Sequence, residues 1–340
     1  MNKKIALITG ASGQDGSYLA QFLIKKNYKV VAADRRSSRA DNWRHEYLGI
    51  ENKVIYEDFD LADIDSIFRL FKKYKFSEVY NLAAQSFVKS SFETPVSTSN
   101  ITGIGTLRIL EAIRFFNKKI KFYQASTSEM IGNTKSKVQN ENAEFYPRSP
   151  YACAKVFAHF ITKNYREAYG IFACSGIMFN HESPLRGEEF VTRKITKHFS
   201  EIKVGKRNIL ELGNLNSKRD WGFAKDYVEA MWLMLQQKKP EDFVISTNKS
   251  YSIKDFVNET AKNLGFKIKW VNKGKYEKGI NLANDKVIIK INPKFYRPSE
   301  VFNLKGSYSK ALKKLKWYPK TNFKKLVKIM VLEDLKRASK

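Results

Sequence analysis

Six short apolar runs punctuate the first half of the chain: Lys4–Ile8, Lys29–Ala33, Val54–Tyr56, Glu78–Leu82, Lys121–Ala125 and Ile171–Met178. Each is bounded by polar or small residues, the pattern of a buried strand. Between them the period changes. SYLAQFLIKK, the stretch from about Asn100, and the segment that opens at Tyr151 repeat their apolar positions at helical spacing. Strands alternating with helices predict an α/β fold, a Rossmann-type doubly wound parallel sheet. Beyond Phe179 the texture turns to loops with embedded polar groups, with amphipathic helices at Tyr227–Gln236 and Phe323–Leu335. This divides the chain into a first domain over 1–178 and a smaller C-terminal one over 179–340, with returns to the first.

The turn after the first run carries chemistry. Gly10, Gly13 and Gly16 frame Ala11-Ser12 and Gln14-Asp15 between strand and helix. Gly10 permits a tight turn, Gly13 lets backbone approach a diphosphate, and Gly16 lets the helix pack on the sheet. The spacing G-x-x-G-x-x-G points to the short-chain dehydrogenase/reductase type of nucleotide site. The second run ends in Asp34-Arg35-Arg36-Ser37-Ser38. An acid there bonds a ribose 2′-hydroxyl, whereas arginine and serine accommodate a 2′-phosphate, so NAD and NADP both stay open. Asp60 and Leu61 end the third run where adenine could lie. Leu82, Ala83, Ala84, Gln85 and Ser86 end the fourth with small residues that suit a passing dinucleotide.

The fifth run leads into Ser126-Thr127-Ser128-Glu129, at the strand end where open α/β sheets build their sites. Tyr151 and Lys155 stand four apart and share a helix face. An ammonium beside a phenol is expected to lower the phenol's pKa. Hydroxyls, a carboxylate, a phenol and a lysine thus outline an acid–base site. Further on, Arg186, Arg219 and Arg297 lie in separate loops among aromatics and prolines, a fork geometry suited to a diphosphate.

Composition narrows the classes. The formal charge is +28, from 62 Lys and Arg against 34 Asp and Glu. The lysines are scattered, no nucleic-acid motif accompanies them, and such a field favours anionic substrates. The densest cluster, Lys310, Lys313, Lys314 and Lys316, reads as a helix face. Cys153 and Cys174 form no disulfide framework and read as small core residues of a cytoplasmic protein. Four histidines without ligand spacing argue against a metal, and no apolar run reaches membrane-spanning length.

Longer motifs sharpen this. GASGQDGSYLAQFL, RRSS, YNLAAQSFVKSSF, KFYQASTSEMIG, FYPRSPYACAK, FNHESPLRG, FVTRKIT and LGNLNSKRDWGFAKDYVEAMWLMLQ cover nearly the whole length. In these the chain resembles the GDP-mannose 4,6-dehydratases, a family of extended short-chain dehydrogenases/reductases. The resemblance implies conversion of a GDP-sugar to a GDP-4-keto-6-deoxy sugar by C4 oxidation, loss of water across C5 and C6, and hydride return to C6. It makes Tyr151, supported by Lys155, the base at the C4 hydroxyl and Glu129 the base at C5, with Thr127 and Ser128 positioning the hexose. It adds His181 and Arg186 to the cofactor shell of Gly10, Ser12, Gly13, Gln14, Asp15, Gly16, Asp34 to Ser38, Asp60, Leu61, Leu82 to Ser86, Tyr151 and Lys155. It assigns Ser86, Asn180, Val191, Lys194, Arg219, Arg297 and Glu300 to the nucleotide-sugar. The RRSS pattern favours NADP, although Asp34 replaces an apolar residue of the family. Ser97 replaces a tyrosine, and the segment from Arg39 to Ile50 departs from the loop that reaches a neighbouring subunit in tetramers. Dimer and tetramer therefore both stand, as do GDP-manno-heptose dehydration and a related epimerase or reductase activity.

Overall fold

The computed structural model describes residues 3–35, 42–135, 138–296 and 299–340. All six predicted strands form, as β1 (Ile5–Thr9), β2 (Lys29–Asp34), β3 (Ile55–Asp58), β4 (Glu78–Asn81), β5 (Lys121–Thr127) and β6 (Ala173–Met178). Several run past the apolar core of the prediction, because ladder pairing continues into polar edges: Thr127 still pairs with Met178, and Asp34 with Asp58. The order is β6-β5-β4-β1-β2-β3, every pair parallel, with Phe243–Ile245 added beside β6. The order reverses between β1 and β4, which opens a crevice at their carboxyl ends.

Helices bury both faces. Tyr18, Leu19 and Leu23 of the first helix (Gln14–Lys25) join Val228, Met231 and Leu235 on one side. Ile67 and Leu70 join Ile109 and Ile113 on the other. Each such side chain contributes about 1.5–3 kcal/mol by leaving water.

Beyond Phe179 the two expected helices form, over Ala224–Leu235 and Phe323–Ala338, and the loop texture expected around them is corrected. Helices Val191–Lys203, Ile253–Asn263 and Phe323–Ala338 pack with a four-stranded sheet of Leu210–Leu212, Ile268–Val271, Lys278–Asn281 and Lys286–Ile291. Their core holds Ile195, Phe199, Trp221, Phe256, Leu326 and Met330. These strands are short and lysine-studded, so alternation is weak in the sequence. The chain also returns to the large sheet, through Phe243–Ile245 and through Trp317, whose indole donates to the Asp226 carbonyl at 2.9 Å. The predicted lysine-rich face is helix Ser309–Leu315, and Lys310 and Lys314 both pair with Glu241. Cys174 is buried, which pushes its thiol up to about 12, whereas Cys153 is exposed and is not the core residue expected. Among the described residues no helix is long and apolar enough to cross a membrane.

The glycine turn is sterically determined. Gly10 has φ +69°, and a Cβ there would lie 2.9 Å from the Ala83 backbone. A Cβ on Gly16 would lie 2.3 Å from the Gly10 carbonyl oxygen and 2.6 Å from Ala11 Cα, so the first helix must move to admit one. Gly16→Ala should therefore lower stability by about 1–3 kcal/mol. A thermal midpoint equal to that of the unmodified chain would show slack between helix and turn that this packing denies.

Candidate active site

The first helix opens on Gly13, which has extended backbone and no side-chain cap. Helix geometry leaves its first N–H groups without intrahelical partners. Before it, the Gly13 N–H donates to the Gly10 carbonyl at 3.1 Å and the Ser12 N–H to Asp34 Oδ2 at 2.9 Å. Asp34 is thereby tied to the glycine turn, while Arg35 beside it is exposed. Arg36, Ser37 and Ser38, predicted beside them, lie outside the described residues. Across the crevice, Thr9 Oγ1 accepts from the N–H groups of Leu82 and Ala83, drawing Ala83 against the turn, and Ala84 follows in sequence. Asp60 and Leu61 follow β3, and Ser86 is exposed at the rim. The set fits a dinucleotide: the helix end is uncapped, a Cβ on Gly13 would crowd the Gly10 carbonyl oxygen at 3.2 Å, and Gln85 Oε1 is buried without a protein partner.

The acid–base group forms where β5 ends. Ser149 caps the helix Pro150–Tyr169 by accepting from the Ala152 N–H, which fixes Tyr151 in its first turn. Ser128, Glu129, Tyr151 and Lys155 are all buried. Thr127 Oγ1 accepts from the Glu129 N–H at 3.2 Å. The expected lowering of the phenol pKa is not what the protein imposes. Burial, and then the charge of Glu129, push Tyr151 up, against smaller lowering influences of Thr127 and Arg186. Lys155 Nζ donates to the Ala125 carbonyl at 2.7 Å and lies 5.9 Å from the Tyr151 ring centre. Burial lowers this ammonium to about 8.

Residues after β6 close on the same place. His181 Nε2 meets Asp15 Oδ2 at 2.7 Å, its Nδ1 bonds the Phe179 carbonyl, and its ring stacks on Tyr227 at 4.7 Å. Gln14 bonds the His181 carbonyl and accepts from Ser183. These contacts make Gln14, Asp15 and His181 a join between halves of the chain as well as members of the predicted shell. Arg186 sits 3.5 Å over the Phe190 ring and 3.2 Å from Glu182. Asn180 Oδ1 is buried without a protein partner. Val191 and Lys194 share the first turn of one helix, and the Lys194 ammonium lies 3.3 Å over Phe295; burial brings it down to about 8. Arg219 is buried, donating to the Lys218 and Val301 carbonyls and to Glu300 at 3.3 Å. The Glu300 carbonyl accepts from Asn133, four residues past Glu129. Arg297 lies outside the described residues.

A cavity of about 600 Å³ against the same helix, lined by Glu141, Phe145, His159, Lys163 and Asp242, contains none of these residues. Two others went unrecognised in the sequence. Arg44 donates to the Ser12 and Leu185 carbonyls, and buried His45 bonds the Ala11 carbonyl. The only signal was that their segment departs from the family loop.

Burial disfavours both charges of the Asp15–His181 pair, but their attraction and hydrogen bond outweigh it, holding Asp15 below 3.8 and His181 above 6.5. A depressed carboxylate stabilises above its unfolded pKa, and a raised imidazole stabilises below its own. The pair therefore contributes fully between 3.8 and 6.5 and fades as pH rises through the elevated His181 value. His181→Gln should remove about 1 kcal/mol of stability at pH ~6 and much less at pH ~9. Melting curves across that range check this, and a loss that does not vary with pH would refute the ionic pairing.

The GDP-mannose 4,6 dehydratase family profile matches residues 7–330. A GDP-mannose 4,6 dehydratase of Drosophila melanogaster is 49% identical over 342 residues, spanning 98% of this chain and 86% of that one. The GDP-mannose 4,6-dehydratase of Vibrio cholerae serotype O1 is 48% identical over 357 residues, spanning 99% and 95%. Among solved structures, the dTDP-glucose 4,6-dehydratase of Bacillus anthracis superposes with a TM-score of 0.82 at 19% identity, covering 99% of this chain and 98% of that one. The UDP-glucose 4-epimerase of Thermus thermophilus gives 0.81 at 21%, covering 97% and 98%. Those two share the fold; the sequence relatives and the profile establish more, and the chain belongs to the GDP-mannose 4,6-dehydratase family.

Proposed function

We propose that this chain converts GDP-D-mannose to GDP-4-keto-6-deoxy-D-mannose, with NADP as its cofactor. The observation that carries the reading is that Ser128, Glu129, Tyr151 and Lys155 are buried together where β5 ends, with Lys155 Nζ 5.9 Å from the Tyr151 ring centre and donating to the Ala125 carbonyl. Loss of water from a hexose needs a base at the C4 hydroxyl and a second at C5. A bound nicotinamide would supply the hydride acceptor for C4 and the hydride donor for C6.

The side chains divide the proton transfers between them. Tyr151 must first give up its own proton; as the phenolate it takes the C4 hydroxyl proton, beside Lys155, which shares its helix face and donates to the Ala125 carbonyl of β5. Glu129 then takes the C5 proton, made acidic by the C4 ketone, and delivers it to the departing C6 hydroxyl, which leaves as water while a C5–C6 double bond forms; hydride return to C6 with a proton to C5 would complete the product. Thr127 and Ser128 orient the hexose. Asn180, Val191, Lys194, Arg219 and Glu300 form the side toward the nucleotide, with Arg297 assigned there by family resemblance. The uncapped first helix, Ala83 and Ala84 would hold the cofactor diphosphate, and Arg35 its 2′-phosphate. Asp34, tied to the Ser12 N–H, supports this choice, because one carboxylate oxygen is committed to the glycine turn.

Incubation with GDP-mannose should give a product lighter by one water, without steady accumulation of reduced nicotinamide. Glu129→Gln should lower turnover by about 10²–10⁴-fold while still allowing one equivalent of cofactor to be reduced on mixing. Mass spectrometry with absorbance checks both, and undiminished dehydration in Glu129→Gln would remove Glu129 from the mechanism.

For the cofactor, Arg35→Ala should weaken NADP about tenfold and leave NAD nearly unchanged, since a guanidinium–phosphate contact is charge-assisted. Titration of each dinucleotide decides this. Equal losses for both would take away the basis for NADP.

A further inference from the structure

The segment from Ser183 to Gly187 belongs to no helix or strand; the Ser183 and Gly187 carbonyls accept from the nearby Arg186 and Phe190 N–H groups, and those between need donors from elsewhere. Three consecutive ones are taken by arginines from three helices. The Pro184 carbonyl accepts from Arg193 Nη1 at 3.1 Å and Arg337 Nη1 at 2.9 Å. The Leu185 carbonyl accepts from Arg44 Nε at 2.8 Å, and that of Arg186 from Arg193 Nη1 at 3.0 Å. Arg193 is the centre of this clamp, and its charge is balanced 141 positions away. Asp334, in the last helix (Phe323–Ala338), accepts from Arg193 Nε at 2.7 and 2.8 Å and from Thr196 Oγ1 at 2.6 Å. The side chains of the pair are 4% and 1% exposed, so neither charge has water as an alternative partner.

The clamped segment follows His181, which meets Asp15, and carries Arg186, whose charge acts on Tyr151. We propose that Asp334 is a positioning residue for the cofactor side of the site: through Arg193 it fixes the backbone at Pro184 and Arg186, and so the approach of Arg186 to the crevice. This rests on the reading of that crevice as a dinucleotide site. The last helix touches no reacting atom in this scheme; it sets geometry through Arg193 and through its own Arg337, which lies 3.7 Å from Asp334 and bonds the Pro184 carbonyl.

The test separates positioning from folding. Replacing a buried ion pair by apolar side chains often leaves stability near its original value, whereas here it also deletes the bonds to both carbonyls. In Arg193→Met/Asp334→Leu the thermal midpoint should stay close to that of the unmodified chain. NADP should bind about tenfold more weakly and kcat should fall by a similar factor, a size typical of small misplacements near a site. Arg193→Lys, which keeps a cation for Asp334 but lacks the fork, should likewise weaken NADP while remaining folded, and it carries the test should the double variant not fold. Asp334→Glu should restore most of the affinity that Asp334→Asn loses. The proposal is overturned if the folded variants bind NADP as the unmodified chain does. Absence of dinucleotide binding by the unmodified chain would instead bring down the reading of the crevice, and this inference with it.

Discussion

One short join holds the two halves of the chain in register: the first turn of the first helix against the residues that follow β6. Asp15 meets His181 there, and Gln14 bonds both the His181 carbonyl and Ser183. The arrangement is favourable for a general reason, since a carboxylate in the first turn of a helix offsets the positive end of its dipole. His181 is fixed from the other side by the Phe179 carbonyl and by stacking on Tyr227. The glycine turn therefore cannot shift without moving the loop that carries Asn180 and Arg186. Residues far apart in the sequence share one crevice because of a handful of bonds at its mouth.

Within the crevice, desolvation governs the chemistry. Tyr151 and Lys155 each lose water, and each is driven towards its neutral form, the phenol up and the ammonium down to about 8. A phenol and a lysine at helical spacing suggest mutual stabilisation of their ions. The structure gives the lysine's donor to a backbone carbonyl instead, and leaves Glu129 as the strongest charge acting on the phenol. Such a site disfavours the phenolate. In the proposed reaction the order of proton transfers comes from the substrate, because the C5 proton becomes acidic only once C4 is a ketone.

The sheet was legible because buried parallel strands are apolar throughout and each ends in a polar turn. The six runs, the glycine turn and the Tyr151 helix all follow from that contrast. The four-stranded sheet was not legible: KGIN and KVIIKI mix lysines with apolar residues at a surface where one face is solvated. Phe243–Ile245 is too short to announce itself, and its place beside β6 is a matter of topology, which local pattern does not encode. Site residues divide in the same way. Thr127, Glu129, Tyr151 and Lys155 lie within one stretch and could be grouped by position. The Arg193–Asp334 pair and the bonds of Arg44 and His45 depend on contacts between distant segments, so no spacing rule reveals them.

Charge illustrates the limit of composition most sharply. A surplus of 28 cations suggests a site crowded with unpaired positive groups, but the arginines nearest the crevice are engaged by the protein itself. Arg193 serves Asp334 and two carbonyls, Arg219 serves Glu300 and two carbonyls, and Arg44 serves the glycine turn and Leu185. Each is held in one orientation before any ligand arrives, which lowers the entropy that binding would otherwise cost. The scattered surface lysines act differently, raising the local concentration of anions without recognising any of them. Affinity for an anionic substrate thus draws on the whole surface, whereas discrimination among anions depends on the few cations whose geometry the fold has already fixed.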